Sequence, residues 1–495
     1  MDKAKGRAAF AASESRFWDI VDFLAEVVMP HGDVEEWLNA NGVNLMRQLF
    51  QDHVDLQTER EPRREGIAGA DGVARTRVEK GHRRTLTTIF GDVHVVRLAY
   101  RRLGCGNLHP LDASLNLPEE QFSHGLRRRA AIEASRGSFE DAQAAIEQAT
   151  GQVVGKRQVE ELAQLTAVDF QAFYAEAPRV QTQSGDVLVC SMDGKGIVMR
   201  PGALRPATAK AAAQSGQKLS TRLSKGEKQG RKRMAEVGAV YDVTPVPRTP
   251  QDVLNTSEHQ DATPAPKAKN KWLTASVVED AATVIAQVFD EAERRDPEHR
   301  RTWLGLVDGN SHQIDRIQAE AQARSLDVHI VIDFIHVLEY LWLAAWSFFA
   351  EGDTAAEGWV LEKAQDVLAG RASIVAAAIR RKATCLHLDK QKRAGADRCA
   401  NYLLNKLQYL DYATALQQGW PIATGVIEGA CRHLVKDRMD ITGARWGLQG
   451  AEAVLKLRAL RKNGDFEAYW RYHVAQEYRR VHEQRYTNLR IPQAA

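Results

Sequence analysis

The sequence predicts an α/β core, a mixed five-stranded sheet with helices, joined to a mostly helical N-terminal region and interrupted by an all-α insertion. Three observations predict it. Residues 185–333 alternate strand-like apolar runs with helical periodicity, residues 334–417 carry helical periodicity alone, and a strand-poor stretch of 418–495 follows.

Taken in order, residues 14–58 read as two amphipathic helices, the second opened by a capping box of Asp33 with Glu36. EREPRREGIAGADG is a charged, glycine-bearing break. TLTTIFGDVHVVRLAYRRLG, residues 85–104, reads as a β-hairpin turning at Gly91-Asp92. FSHGLRRRAAIEAS, SFEDAQAAIEQAT and KRQVEELAQLTAVDFQAF read as three helices, and the break TGQVVGK permits a helix-turn-helix. Arg127, Arg128 and Arg129 on the first of them, with Lys156 and Arg157 on the third, favour DNA recognition over a plain packing unit.

In the core, GDVLVCSMDG is the first strand, and GKGIVMR is a tight turn and a second. MAEVGAVYDV (234–243) is the third, TWLGLVD (302–308) the fourth and DVHIVID (327–333) the fifth. Helices are expected over 277–295 and 312–324, whereas NTSEHQDATPAPKAKN (255–270) reads as an external loop. This order lets the first and fourth strands lie parallel and adjacent, with Asp193 and Asp308 together at their carboxyl ends. The aromatic run FIHVLEYLWLAAWSFFA opens the insertion. Trp342 and Trp346, four apart, share a face there and are expected to pack in its core, with base stacking as the alternative. WPIATG (420–425) returns the chain to the core, and EAVLKLRALRKNG (452–464) is a last long helix. The divisions expected are 1–80, 81–180, 181–333, 334–417 and 418–495.

Asp193 and Asp308 at strand ends, with Glu428 inside the helical run TGVIEGACRHLVKD, are a pattern with chemical meaning. Two divalent cations about 4 Å apart, acting on a phosphodiester, need carboxylates converging from different elements. The competing use of an Asp-Gly pair is ordinary turn chemistry. Asp333 and His336 form D-x-x-H, in which Asp333 is either a helix N-cap with His336 packed beneath the sheet, or the pair touches DNA. Helical spacing lets Glu428, Arg432 and Lys436 share a face, suited to metal and phosphate, although surface ion pairs look the same in sequence. From Arg205 to Arg233, nine basic residues face one acid, Glu227, and Lys225, Lys228, Arg231, Lys232 and Arg233 form its densest part. This is either an electrostatic clamp on DNA or a solvated linker.

SMDGKGIVMRPGALR, LVDGNSHQIDRI, VIDFIHVLEYLWLAAW and GWPIATGVIEGACRHLVKDRMDITGARWG together resemble bacterial insertion-sequence DDE transposases of the ISKra type, whose layout is similar to Mutator-like transposases. The resemblance spans roughly residues 80–480. It implies an RNase H-like catalytic core with a helical insertion before the Glu, and Asp193, Asp308 and Glu428 as the catalytic and metal-binding triad. It implies two Mg²⁺ ions, replaceable by Mn²⁺, DNA contacts from Arg445 and Trp446, and a supporting role for Asp333 and His336. Trp446 is alternatively a buried anchor for the final helix. The implied partners are terminal-repeat and target DNA, with a homodimer or larger assembly to hold two ends. A nuclease that cuts without joining, and a DNA-binding regulator without catalysis, are the alternatives.

Composition agrees. The net charge is +3, from 67 basic and 64 acidic residues, so DNA binding must come from local patches. The five cysteines form no C-x-x-C pair, which argues against a zinc ribbon or disulfide framework. No signal peptide or membrane-length apolar run is expected, and cytoplasmic residence on the nucleoid follows.

Overall fold

The computed structural model describes residues 3–177, 185–214, 219, 221, 230–254, 262–441 and 443–491. The chain divides into two compact units, Met1–Glu176 with Gly464–Ala495, and Ala177–Asn463. The sequence reading grouped 418–495, and the division parts that stretch after Asn463. No helix among the described residues is long and apolar enough to cross a membrane.

In the first unit, β1 (Arg77–Thr88) and β2 (Gly91–Arg101) form an antiparallel hairpin. Thr88 pairs with Gly91, so the turn is Ile89-Phe90 and not Gly91-Asp92. Gly91 takes φ 121°, a conformation open to glycine, directly after it. The helices Ala11–Glu26 and His31–Glu59 precede the hairpin. The second starts behind Pro30, which leaves Asp33 inside the first turn and forms no capping box with Glu36. Helices His124–Arg136 and Phe139–Thr150 form as expected, the third expected helix breaks into Lys156–Ala167 and Phe170–Glu176, and of the basic residues Arg127 is buried while Arg128, Lys156 and Arg157 stay at the surface. Arg127 is 1% exposed and pairs with Glu477 and, at 3.0 Å, with Glu120. Lys156 and Arg157 pair with Glu140 and Glu161, each at 2.9 Å. Burial therefore withdraws Arg127 from the basic surface that the sequence implied, and leaves Lys156 and Arg157 on it.

His482, 4% exposed, is held neutral in this unit. Burial, with Arg485 nearby, lowers its pKa to about 4. The unfolded chain binds this proton near 6.5, so stability is present above that pH and is lost as pH falls from 6.5 toward 4. The cost is about 1.4 kcal/mol per pH unit in that window. A His482→Gln chain should lose less melting temperature between pH 7.5 and 5 than wild type, and an unchanged slope would contradict this.

The second unit is built on one mixed sheet of order β5-β4-β3-β6-β7. Its strands are β3 (Val187–Met199), β4 (Arg231–Val243), β5 (Ala268–Ser276), β6 (Trp303–Val307) and β7 (Val328–Ile332). β4 is antiparallel to both β3 and β5, whereas β3, β6 and β7 run parallel. Two expectations change while the count of five stays. The tight turn after Asp193 does not exist, because β3 runs on through Gly194 and Gly196, both paired to β4. Those glycines are extended and make room for neighbours, since a Cβ on Gly196 would stand 2.9 Å from the Lys232 side chain. The other change is β5, in part of the stretch read as a loop. The following helix starts only at Ala281, behind the Asp280 cap.

The core forms where the parallel strands carry continuous apolar runs, as every residue of β6 is buried. Val284, Ile285, Val288 and Phe289 of the Ala281–Arg295 helix are buried with it. Gly238 admits the helix, because a Cβ there would lie 2.4 Å from Val288. The insertion is helical throughout its named elements, Phe334–Ala345, Ala355–Leu368, Ala372–Cys385, Ala394–Asn405 and Tyr412–Gln417. Trp342 and Trp346 do stack, with centroids 5.3 Å apart, but Trp346 is 44% exposed, so the pair lies at the surface and not in the insertion's core.

Register carries this architecture to the acids. Leu188, Trp303 and Val328 lie abreast on the three parallel strands. The fifth residue after each is Asp193, Asp308 and Asp333. Between β6 and β7 the ladder persists to that level, where the Asp333 N–H donates to the Val307 carbonyl at 2.7 Å, whereas the pairing of β3 with β6 ends at Ser191 and Leu306.

Candidate active site

Asp193 and Asp308 line one cavity of about 450 Å³, together with Arg205, Glu236, Asp280 and Arg316. Asp193 lies within β3, where its Oδ1 accepts the Gly194 N–H at 2.6 Å and its Oδ2 accepts the Cys431 thiol at 3.2 Å. Asp308 follows β6 in a genuine turn. Its Oδ1 accepts the Asn310 N–H at 2.8 Å, and Gly309 takes φ 90°.

Glu428 arrives from the other direction, exposed on the helix Gly425–Ala430. Thr424, four residues before it, donates its hydroxyl to Asp333 and stands 3.5 Å from Glu428 Oε1. Cys431, three residues after it, reaches Asp193. One short segment thus touches two of the three abreast aspartates and carries the glutamate between its contacts. The helix then widens into a π turn, Cys431–Lys436. Positions eight apart drift roughly 80° around an α-helix, and a wider turn reduces that drift. Arg432 and Lys436 are both exposed, and Arg432 stands 3.7 Å from Asp437.

Glu236, Thr424 and Cys431 were missed from sequence. Glu236 is a lone acid between buried Ala235 and Val237, a legible signal, and burial raises its carboxyl pKa, with Arg205 opposing and Asp193 adding. The Cys431 thiol is raised by burial first and by the Asp193 charge next, so it is a donor at neutral pH and no nucleophile. Removing one hydrogen bond to a charged group costs about 1.5–3 kcal/mol. Under the function proposed below, Cys431→Ala should slow single-turnover cleavage about tenfold and Cys431→Ser should restore it. Equal loss in both variants would assign Cys431 to packing alone.

The remaining sequence candidates separate clearly. Asp333 is fully buried and caps the Phe334–Ala345 helix by accepting the Ile335 N–H at 2.8 Å. His336 is not packed beneath the sheet: it is half-buried, 3.1 Å from Glu339, and lines a second cavity beside Asp308. Trp446 is 5% exposed, its indole N–H donating to the Met439 carbonyl at 3.1 Å and its backbone bridging Met199. It is an anchor at the end of β3 and is not presented to DNA. Arg445 is exposed. Arg233 donates to the carbonyls of Val277 at 2.6 Å and Val278 at 3.2 Å, which fixes it as a structural clamp, and burial lowers its pKa. Lys232 is half-exposed, 3.9 Å from Asp440, and Arg231 begins β4. Lys225 and Lys228 lie outside the described residues.

Asp193, Asp308 and Glu428 offer only oxygen ligands, the donors that hard divalent cations take. Among the described residues no group of three or more His, Cys, Asp or Glu is placed to hold a metal ion, so the three acids do not form a ready-made metal site. A Mg²⁺ site can use one or two carboxylates and complete its shell with water and substrate phosphate, and Asp193 and Asp308 are two carboxylates on one cavity.

The chain matches no protein-family model and no curated protein. A solved structure of the Drosophila P element transposase strand transfer complex aligns over 69% of this chain and 79% of that one, at 8% identity and a TM-score of 0.22. At that score the alignment bears no weight for fold or function.

Proposed function

We propose that this chain is a DDE transposase with an RNase H-like core, which binds the terminal repeats of an insertion sequence and catalyses DNA cleavage and strand transfer. The observation that carries the reading is the convergence of Asp193, within β3, and Asp308, just past the end of the neighbouring parallel strand β6, on one cavity, with Glu428 on a segment hydrogen-bonded to Asp193 and Asp333. The resemblance of four sequence strings to ISKra-type transposases supports it from a separate direction.

Asp193, Asp308 and Glu428 would hold two Mg²⁺ ions, or Mn²⁺, which supply charge stabilisation at the phosphate and activate the attacking oxygen. The chain's own residues do the rest. Cys431 orients Asp193, and Thr424 fixes Asp333, abreast of Asp308 on the neighbouring strand. Arg432, Lys436 and Arg445 are exposed cations available to DNA phosphates. Joining requires two ends held together, so the working form is a homodimer or larger, acting on DNA in the cytoplasm.

The test is a strand-cleavage and joining assay on labelled DNA carrying the sequences that flank the chain's own reading frame, with Mg²⁺ or Mn²⁺. Joined products are expected. Cleavage without joining would reduce the reading to a nuclease, and specific binding without metal-dependent cleavage would make the chain a regulator.

A further inference from the structure

We propose that the second cavity beside Asp308 seats an unpaired nucleotide of the DNA strand being processed. The inference deepens the proposed function and rests on it. The cavity measures about 600 Å³ and is lined by Asp308, His336, Glu339, Tyr340, Arg398 and Tyr402. That size falls in the range of roughly 300–1,000 Å³ typical of small-ligand sites. Asp308 also lines the cavity that holds Asp193, so the two spaces share this acid. A nucleotide in one space would have its neighbouring phosphodiester at the other.

The lining is chemically suited to a base. Tyr340 and Tyr402 stack in parallel, with centroids 3.8 Å apart and 13° between planes, yet both rings are only half-buried. A stack serving the core alone would be covered. The Tyr402 hydroxyl lies 3.4 Å from the Asp308 carbonyl, and Gly309 makes that approach possible, since a Cβ there would stand 2.6 Å from the hydroxyl. The aromatic plane is therefore fixed to the same turn that sets Asp308. His336 and Glu339, 3.1 Å apart, offer polar groups to a base edge.

Charge decides between base and phosphate. Two carboxylates, Asp308 and Glu339, face one guanidinium, Arg398, so the cavity does not favour a bare phosphate. A base inside a duplex keeps both faces stacked on its neighbours. Only an unpaired nucleotide can present a face to the tyrosines.

The experiment compares the full chain with Tyr340→Ala and Tyr340→Phe in fluorescence anisotropy at fixed salt without divalent metal, using a mixed-sequence single-stranded oligonucleotide and its duplex. A base loses its stacking partner when the ring is removed, so Tyr340→Ala should weaken single-strand binding about tenfold. Tyr340→Phe, which keeps the ring, should bind like wild type, and duplex binding should not change in either variant. Equal loss on both DNAs, or loss on neither, would overturn the inference. Selective single-strand loss in a chain that never cleaves with metal would keep the nucleotide seat and sink the transposase reading. Cleavage and joining with no effect of Tyr340→Ala would do the reverse.

Discussion

Asp308→Asn is expected to lower metal-dependent strand cleavage by at least about 10³-fold, some 4 kcal/mol of transition-state stabilisation, while DNA binding and the fold survive. The substitution separates charge from shape. The Asn side chain has the same size, and its amide oxygen can still accept the Asn310 N–H that Asp308 accepts at 2.8 Å. The turn with Gly309 at φ 90° therefore has no reason to change. The negative charge facing the Asp193 cavity is lost, and with it the affinity for a hard cation. Single-turnover cleavage, anisotropy on the same DNA and a thermal melt measure the three parts. Mg²⁺-dependent cleavage retained in this variant would remove Asp308 from the triad.

The second large effect is on stability. Asp242→Ala should destabilise the Ala177–Asn463 unit by about 3–5 kcal/mol, the cost of breaking a buried ion pair from one side. Asp242 is fully buried in β4, accepting from Arg301 at 2.7 Å and from Asn270 at 2.9 Å, with Arg295 at 3.6 Å. Both guanidiniums are 3% exposed, and the alanine variant removes the buried carboxylate that Arg301 meets at 2.7 Å, while Arg295 keeps Glu291 at 2.7 Å. Arg301 also donates to the Asp186 carbonyl at 2.9 Å, at the entrance to β3, so the damage reaches the strand that bears Asp193. Urea unfolding of the full chain checks this. A loss below about 1 kcal/mol would mean that water or rearrangement compensates the arginines.

What sequence could show depended on how far each signal was local. TWLGLVD was legible as a buried strand because parallel strands read as unbroken apolar runs, and Asp308 at its end followed. β5 was hidden because an edge strand carries charge, here Lys269 and Lys271, and reads as loop. Gly194 and Gly196 suggested a turn, yet their use is to admit Met234 and Lys232 across the strand pair. At Trp446 two readings were equal in sequence, and the buried ring is an anchor, though its bridge is to Met199 at the end of β3 and not to the final helix. Cys431 could not have been found by spacing, since its partner Asp193 is 238 residues away. Thr424 and Asp333 are likewise joined only in three dimensions, across 91 residues.

The central claim is that Asp193, Asp308 and Glu428 act on a DNA phosphodiester through bound divalent cations, and ligand exchange at Asp308 tests it most directly. A Cys thiolate at a carboxylate position accepts Mn²⁺ more readily than Mg²⁺. Strand cleavage by Asp308→Cys should therefore be silent in Mg²⁺ and return in Mn²⁺. Cleavage in Mg²⁺ at the wild-type rate would contradict the assignment.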